Sequence, residues 1–325
     1  MKLLKKTFMM SLAVFMLAGC SEERLPEQTK ENPTNPEAPT PSSTSNAAKD
    51  ATILRGTLAA GSSEGWFEND SLWIFTLRSM KHNSYLLSEG VGSANGTFRR
   101  TSGTDNYEDS NGKLYALTSP KYLYGFSSTM DGGGQVSVTI PNRFKISDVG
   151  APEGCSRMPV PYWGIVTFGE DGKLQATFQG LTSLLKIDLS ILPTDTRAVV
   201  LTTHSYTEFG DGSELESGDE EPLSGTFDTV LSEGAKLASN PIFYSSDTLR
   251  VNLNTGGIEQ YRYIYLPVVA GTYTNLHVIA VTGDYRYPYI WDGKLLKTFK
   301  SNSPFLVNTI VALEPESTGI RPPKM

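Results

Sequence analysis

From Asp50 onward, apolar and polar residues alternate with a period of two. Val136, Val138 and Ile140 are separated by Ser137 and Thr139, and Leu174, Ala176 and Phe178 by Gln175 and Thr177. Leu185, Ile187 and Leu189 alternate with Lys186 and Asp188, and Leu249, Val251 and Leu253 with Arg250 and Asn252. Successive side chains of a strand point to opposite faces, so each run predicts a strand with one face in a core and one in water. Leu72 to Phe75 is apolar throughout and predicts a strand at a sheet centre. Turn signals stand between the runs as Asn95-Gly96, Asn111-Gly112, Asp131-Gly132, Asp171-Gly172, Asp211-Gly212 and Asp292-Gly293, residue types that tolerate the positive φ of tight hairpins. Two full hairpins are expected: Ile165–Phe168 turning at Asp171-Gly172 into Leu174–Phe178, and Tyr287–Trp291 turning at Asp292-Gly293 into Lys294–Phe299. No long amphipathic helix follows residue 50. The expectation is an all-β protein of two tandem β-sandwiches, 51–193 and 194–325, with the boundary at the Pro193 turn.

The first fifty residues follow a different pattern. Lys2, Lys5 and Lys6 precede an apolar run from Phe8 to Leu17, too short for a permanent membrane span, and then Leu17-Ala18-Gly19-Cys20. That is a secretory signal over residues 1–19, and Leu-Ala-Gly-Cys resembles a bacterial lipobox, which implies cleavage before Cys20 and acylation of it. An ordinary cleaved signal with a coincidental cysteine is the alternative. Ser21-Glu22-Glu23 resembles the acidic surface-export signal of such lipoproteins. Residues 20–50 are Pro, Thr, Ser, Asn, Glu and Lys with almost nothing apolar, and so read as a flexible lipidated tether.

Composition narrows the partners. Loss of the signal leaves 306 of the 325 residues and, with three lysines gone, moves the formal charge from −7 to −10. An acidic chain argues against nucleic acid or an anionic lipid surface, both of which recruit basic patches. Only two cysteines occur, so with Cys20 acylated Cys155 has no disulfide partner and reads as a small buried hydrophobe.

Catalytic patterns are weak. Gly61-Ser62-Ser63-Glu64-Gly65 matches a nucleophile elbow in letters, but the motif needs a following helix, and Trp66 to Asp70 leads into another strand instead. His82, His204 and His277 are far apart without neighbours at metal-ligand spacing. Asp131-Gly132-Gly133-Gly134 lacks the lysine of a phosphate loop, and the acidic stretch Thr207–Pro222 shows no regular calcium spacing. No cofactor, metal site or enzymatic activity is expected. Trp66, Trp73, Trp163 and Trp291, with Tyr261, Tyr263 and Tyr265, are expected to pack in cores or pair across strands rather than to form a sugar platform.

The segment from Tyr261 to Val281, an aromatic strand ending in Leu266-Pro267-Val268, a turn at Ala270-Gly271-Thr272-Tyr273 and a second strand, resembles the C-terminal domain of fimbrillins, the subunits of type V pili. Phe178 to Ile187 is similar to the strand near the end of their N-terminal domain, and Phe305 to Leu313 to their final strand. The resemblance implies transthyretin-like sandwiches and a structural subunit, minor subunit or anchor of a surface fimbrium. It implies attachment to the outer membrane through Cys20, and as partners other pilus subunits and a host or bacterial surface receptor. It also implies a first strand, here Ala51–Ala60 with Leu54, Gly56 and Leu58 on one face, that a protease removes by cutting after arginine. Ser62 to Leu77 contains no arginine or lysine, and the nearest candidate, Arg55, lies inside the strand. The donor strand that refills the groove would present Phe305, Val307, Thr309, Val311 and Leu313. A surface glycan-binding lipoprotein of an outer-membrane uptake system is the alternative from another class.

Overall fold

The computed structural model describes residues 49–60, 64–76, 82–107, 113–128, 133–192, 196–203, 222–238, 241–253, 260–282, 289–299 and 304–307. Cys20, the tether, His204 and nearly all of the acidic stretch lie outside these residues. The first strands in chain order are β1 (Asp50–Leu58), β2 (Ser71–Thr76), β3 (His82–Glu89), β4 (Asn95–Ser102), β5 (Leu114–Thr118), β6 (Leu123–Ser128) and β7 (Gly134–Ile140). Next come β8 (Arg143–Lys145), the one-turn helix α1 (Ile146–Val149), β9 (Gly150–Ala151), β10 (Tyr162–Phe168), β11 (Lys173–Gly180), β12 (Ser183–Asp188) and β13 (Thr196–Thr202). The chain continues through β14 (Ser224–Leu231), β15 (Phe243–Ser246), β16 (Thr248–Asn252), β17 (Tyr263–Val268), β18 (Gly271–Thr282), β19 (Tyr289–Phe299) and β20 (Pro304–Val307). The protein is all-β, as the alternation requires.

Seven strands close into a barrel in the order β1-β11-β10-β5-β2-β3-β4, with β4 returning to β1. Its interior is aromatic. The Trp66 ring meets Phe98 edge-on at 4.9 Å and Phe178 at 5.3 Å, and its indole Nε1 donates to the Ala94 carbonyl at 3.0 Å. Leu54, Leu72, Ile74, Tyr85 and Leu174 complete this core. Tyr85 and Tyr107 are accommodated because their hydroxyls donate to the carbonyls of Ala51 and Ile74 at 2.6 and 2.9 Å.

Three further sheets, β15-β14-β7-β6, β19-β18-β13-β16-β8 and β20-β12-β17-β9, surround a second core in a sandwich-like arrangement. Phe75, Tyr115, Leu117 and Trp163, on the outer wall of the barrel, belong to that second core, so the two cores meet across barrel strands that are apolar on both faces. This explains the unbroken apolar run in β2: Leu72 and Ile74 face the barrel interior and Phe75 faces the other core.

Several expectations need correction. Strand pairing does not divide at Pro193: β7 pairs with β14, β8 with β16, and β9 and β12 with β17, so strands before residue 193 complete the sheets of the second half. The hairpin at Asp171-Gly172 forms, joining β10 to β11. The one at Asp292-Gly293 does not. β19 runs unbroken through it, with Asp292 opposite Ile279 and Gly293 opposite Val278, because a twelve-residue partner strand keeps the Asp-Gly pair extended. Asn95-Gly96 likewise opens β4, and the turn lies just before it at Gly90–Ala94. Lys186 and Asp188 were expected to face water, yet both are buried, because β12 is covered on both faces.

Candidate functional site

The first strand is the element to which the sequence motifs direct attention. β1 lies between β4, antiparallel, and β11, parallel, with Leu54 opposite Phe98 on one side and Leu174 on the other. Its backbone is therefore paired on both edges, and Ala51, Leu54, Gly56 and Leu58 face the core while Thr52, Arg55 and Thr57 are exposed. Gly56 is required by close approach: a Cβ there would lie 2.9 Å from Phe98 and 3.0 Å from Phe178. Gly96, its antiparallel partner, is in the same position, since a Cβ would fall 2.8 Å from Trp66 and Leu87. Paired glycines thus make room for the aromatic plug around Trp66. Arg55 sits in mid-strand, its guanidinium 2.8 Å from Asp171 on the β10–β11 turn.

The last described strand, β20, lies parallel to β12, with Phe305 opposite Leu185 and Val307 opposite Ile187. Thr309, Val311 and Leu313, expected on the same alternating face, lie outside the described residues.

A polar cluster that sequence reasoning missed is centred on β12, the strand that pairs with β20. Lys186 Nζ contacts Glu64 Oε1, lies 3.6 Å from the Tyr263 ring centroid, and is itself buried. The Tyr265 hydroxyl is 2.6 Å from Glu64 Oε2 and 2.8 Å from the Cys155 carbonyl oxygen. Burial raises the Tyr265 phenol well above its ordinary range, so it stays a hydrogen-bond donor. The Glu64 N–H donates to Ser156 Oγ at 2.9 Å, and the Ser156 N–H to the Gly65 carbonyl at 3.0 Å. The result is a charge-balanced clamp tying the segment before Trp66 to β12 and β17. Its members are 122 and 201 residues apart in sequence, a separation that leaves no local signal. The local hint is a lysine flanked by Leu184, Leu185 and Ile187.

The other singled-out residues divide as follows. Cys155 is a free, buried thiol, pushed up by burial. Trp66 and Trp163 are buried, Trp73 stacks on His82 at 4.0 Å between ring centroids, and the side chains of Trp291 and His277 lie outside the described set. Exposed aromatics occur elsewhere, at Tyr124, Phe243 and Tyr244. Asp70 accepts the Phe67 N–H at 2.8 Å, and burial pushes its carboxyl up to about 7. Among the described residues, no helix follows Gly65, and no group of three or more His, Cys, Asp or Glu is placed to hold a metal ion.

No known family profile matches the chain, and no curated protein matches it significantly in sequence. Among solved structures, a candidate cell adhesion protein from Bacteroides ovatus aligns at 12% identity with a TM-score of 0.40, covering 80% of this chain and 92% of that one. A fimbrial assembly protein from Parabacteroides distasonis aligns at 8% identity and a TM-score of 0.32, covering 79% of this chain and 90% of that one. The tip fimbrial protein Mfa3 from Porphyromonas gingivalis, with a C-terminal truncation, aligns at 12% identity and a TM-score of 0.28, covering 76% and 82%.

Proposed function

We propose that this chain is a fimbrillin-like surface lipoprotein, a structural subunit, minor subunit or anchor of a fimbrium that joins its neighbours by exchange of strands. The observation that carries the reading is the seat of β1. It is the first strand after the tether, its backbone is paired along both edges, and its inward side chains fill a barrel core. A groove left by such a strand offers an incoming segment two ladders of backbone hydrogen bonds and alternate pockets for specificity. Arg55, exposed in mid-strand, is the nearest cleavable position, and a cut there would leave Gly56, Thr57 and Leu58 in place. The lack of arginine or lysine from Ser62 to Leu77, where a cut would release the whole strand, favours an uncleaved, lipid-retaining anchor or minor subunit.

The donor in this reading is the C-terminal segment bearing Phe305, Val307, Thr309, Val311 and Leu313. Donation requires β20 to leave β12, to which four residue pairs hold it among the described residues. Deleting the chain from Ser303 onward should abolish incorporation into high-mass polymers or docking to a partner subunit while surface display persists. Normal assembly by the truncated chain, read on a non-reducing ladder of surface material, would show the donor-strand reading to be wrong.

A further inference from the structure

On the outer wall of the barrel, the adjacent strands β4, β1, β11 and β10, with Glu233 from the turn after β14, enclose a concavity of about 870 Å³. That volume lies within the roughly 300–1,000 Å³ usual for small-molecule sites. Its lining is unusual for a barrel wall. Thr57, Asn95, Thr167, Gln175, Thr177 and Gln179 line it with hydroxyls and side-chain amides, groups that donate and accept alike.

We propose that this concavity binds a neutral oligosaccharide. The alternatives fail on charge and polarity. A phosphate or nucleic acid ligand needs free cations, but Arg55, which lines the site, is already paired with Asp171 at 2.8 Å. Glu89 and Glu233 on the lining disfavour acidic sugars and other anions. An apolar ligand or the core of a protein interface needs exposed aromatic or aliphatic surface, and Ile165 is the one exposed large apolar side chain on the lining. A sugar matches what is present: hydroxyls for the Thr, Asn and Gln side chains, and C–H faces for Ile165.

The site is complete only while β1 stays in the barrel, since Arg55, Gly56 and Thr57 form part of it, but it does not depend on strand exchange.

The test uses the full-length chain on an array of neutral and acidic oligosaccharides, followed by calorimetric titration of the strongest neutral hit. The expected result is saturable binding to a neutral oligosaccharide, weakened about tenfold or more by Gln175→Ala with Thr177→Val, since each lost hydrogen bond contributes up to about that factor. Both positions are exposed on β11, and valine keeps the strand preference, so the melting temperature should stay unchanged. Asn95→Ala, on the opposite wall, provides an independent second variant with the same expected loss. Binding to no sugar on the array, binding only to acidic sugars, or a neutral-sugar affinity indifferent to these substitutions would each overturn the proposal.

Discussion

At the scale of single residues, the partly buried carboxyl of Asp70 makes stability depend on pH in an unusual direction. Most carboxylates in folded proteins are stabilised in their charged form, but desolvation raises Asp70 from 3.8 to about 7, against the opposing Phe67 N–H and the charge of Arg157. The folded state therefore holds a proton that the unfolded chain releases. The contribution is fully present below the unfolded value near 3.8 and is lost as pH rises through about 7. Asp70→Asn keeps an acceptor for the Phe67 N–H and carries no charge. We expect the variant to be more stable than the parent by about 1–3 kcal/mol near pH 8, with the difference vanishing near pH 4. Urea denaturation across that range checks it, and parallel pH profiles for the two proteins would refute the assignment. Lys186 shows the complementary case, a buried cation made tolerable by Glu64 on one side and the Tyr263 ring on the other.

At the scale of elements, the fit of β1 rests on a residue with no side chain. Gly56 lies against Phe98 and Phe178, with Trp66 at 3.4 Å from the place a Cβ would occupy. Trp66 meets both phenyl rings edge-on, so all three rings are packed against that place. Gly56→Val should therefore cost about 1–3 kcal/mol through overpacking, and because the strain falls on β1 it should appear first as faster amide exchange along residues 50–58. Loss of protection spread evenly over the barrel would argue against a separately seated strand. β12 is the second element whose environment matters. Its two faces touch the two cores, its edges carry β17 and β20, and the Glu64 clamp closes over Lys186.

At the scale of the whole molecule, barrel and sandwich-like sheets are joined by apolar residues on both faces of shared strands, so the folded portion is expected to unfold as a cooperative unit. Attachment is a separate matter. In the lipoprotein reading, Cys20 bears the anchor. One acyl chain supports only marginal membrane binding, whereas several together hold firmly. Cys20→Ala should therefore move the protein from the membrane fraction to the soluble or secreted fraction, with its fold unchanged by circular dichroism. A variant that still sediments firmly with membranes would rule out the lipid anchor.

What the sequence by itself determined is local. Alternation in Val136–Ile140, Leu174–Phe178 and Leu249–Leu253 marks buried faces because side-chain direction in a strand is set by the backbone alone. Leu54, Gly56 and Leu58 were legible as one face of β1 for the same reason, and Asp171-Gly172 as a turn because nothing longer-range competes with it there. Tertiary structure decided which strands pair. The parallel match of β1 with β11, the closure of the barrel, and the completion of later sheets by β7, β8, β9 and β12 all join segments far apart in sequence. Pairing also overrode local preference: Asp292-Gly293 stays extended because β18 supplies backbone partners along its length, and Lys186 is buried because Glu64, Tyr263 and Tyr265 converge on it from distant segments. The concave wall of Thr, Asn and Gln side chains arises in the same way, since residues from four strands face one space only after the barrel closes.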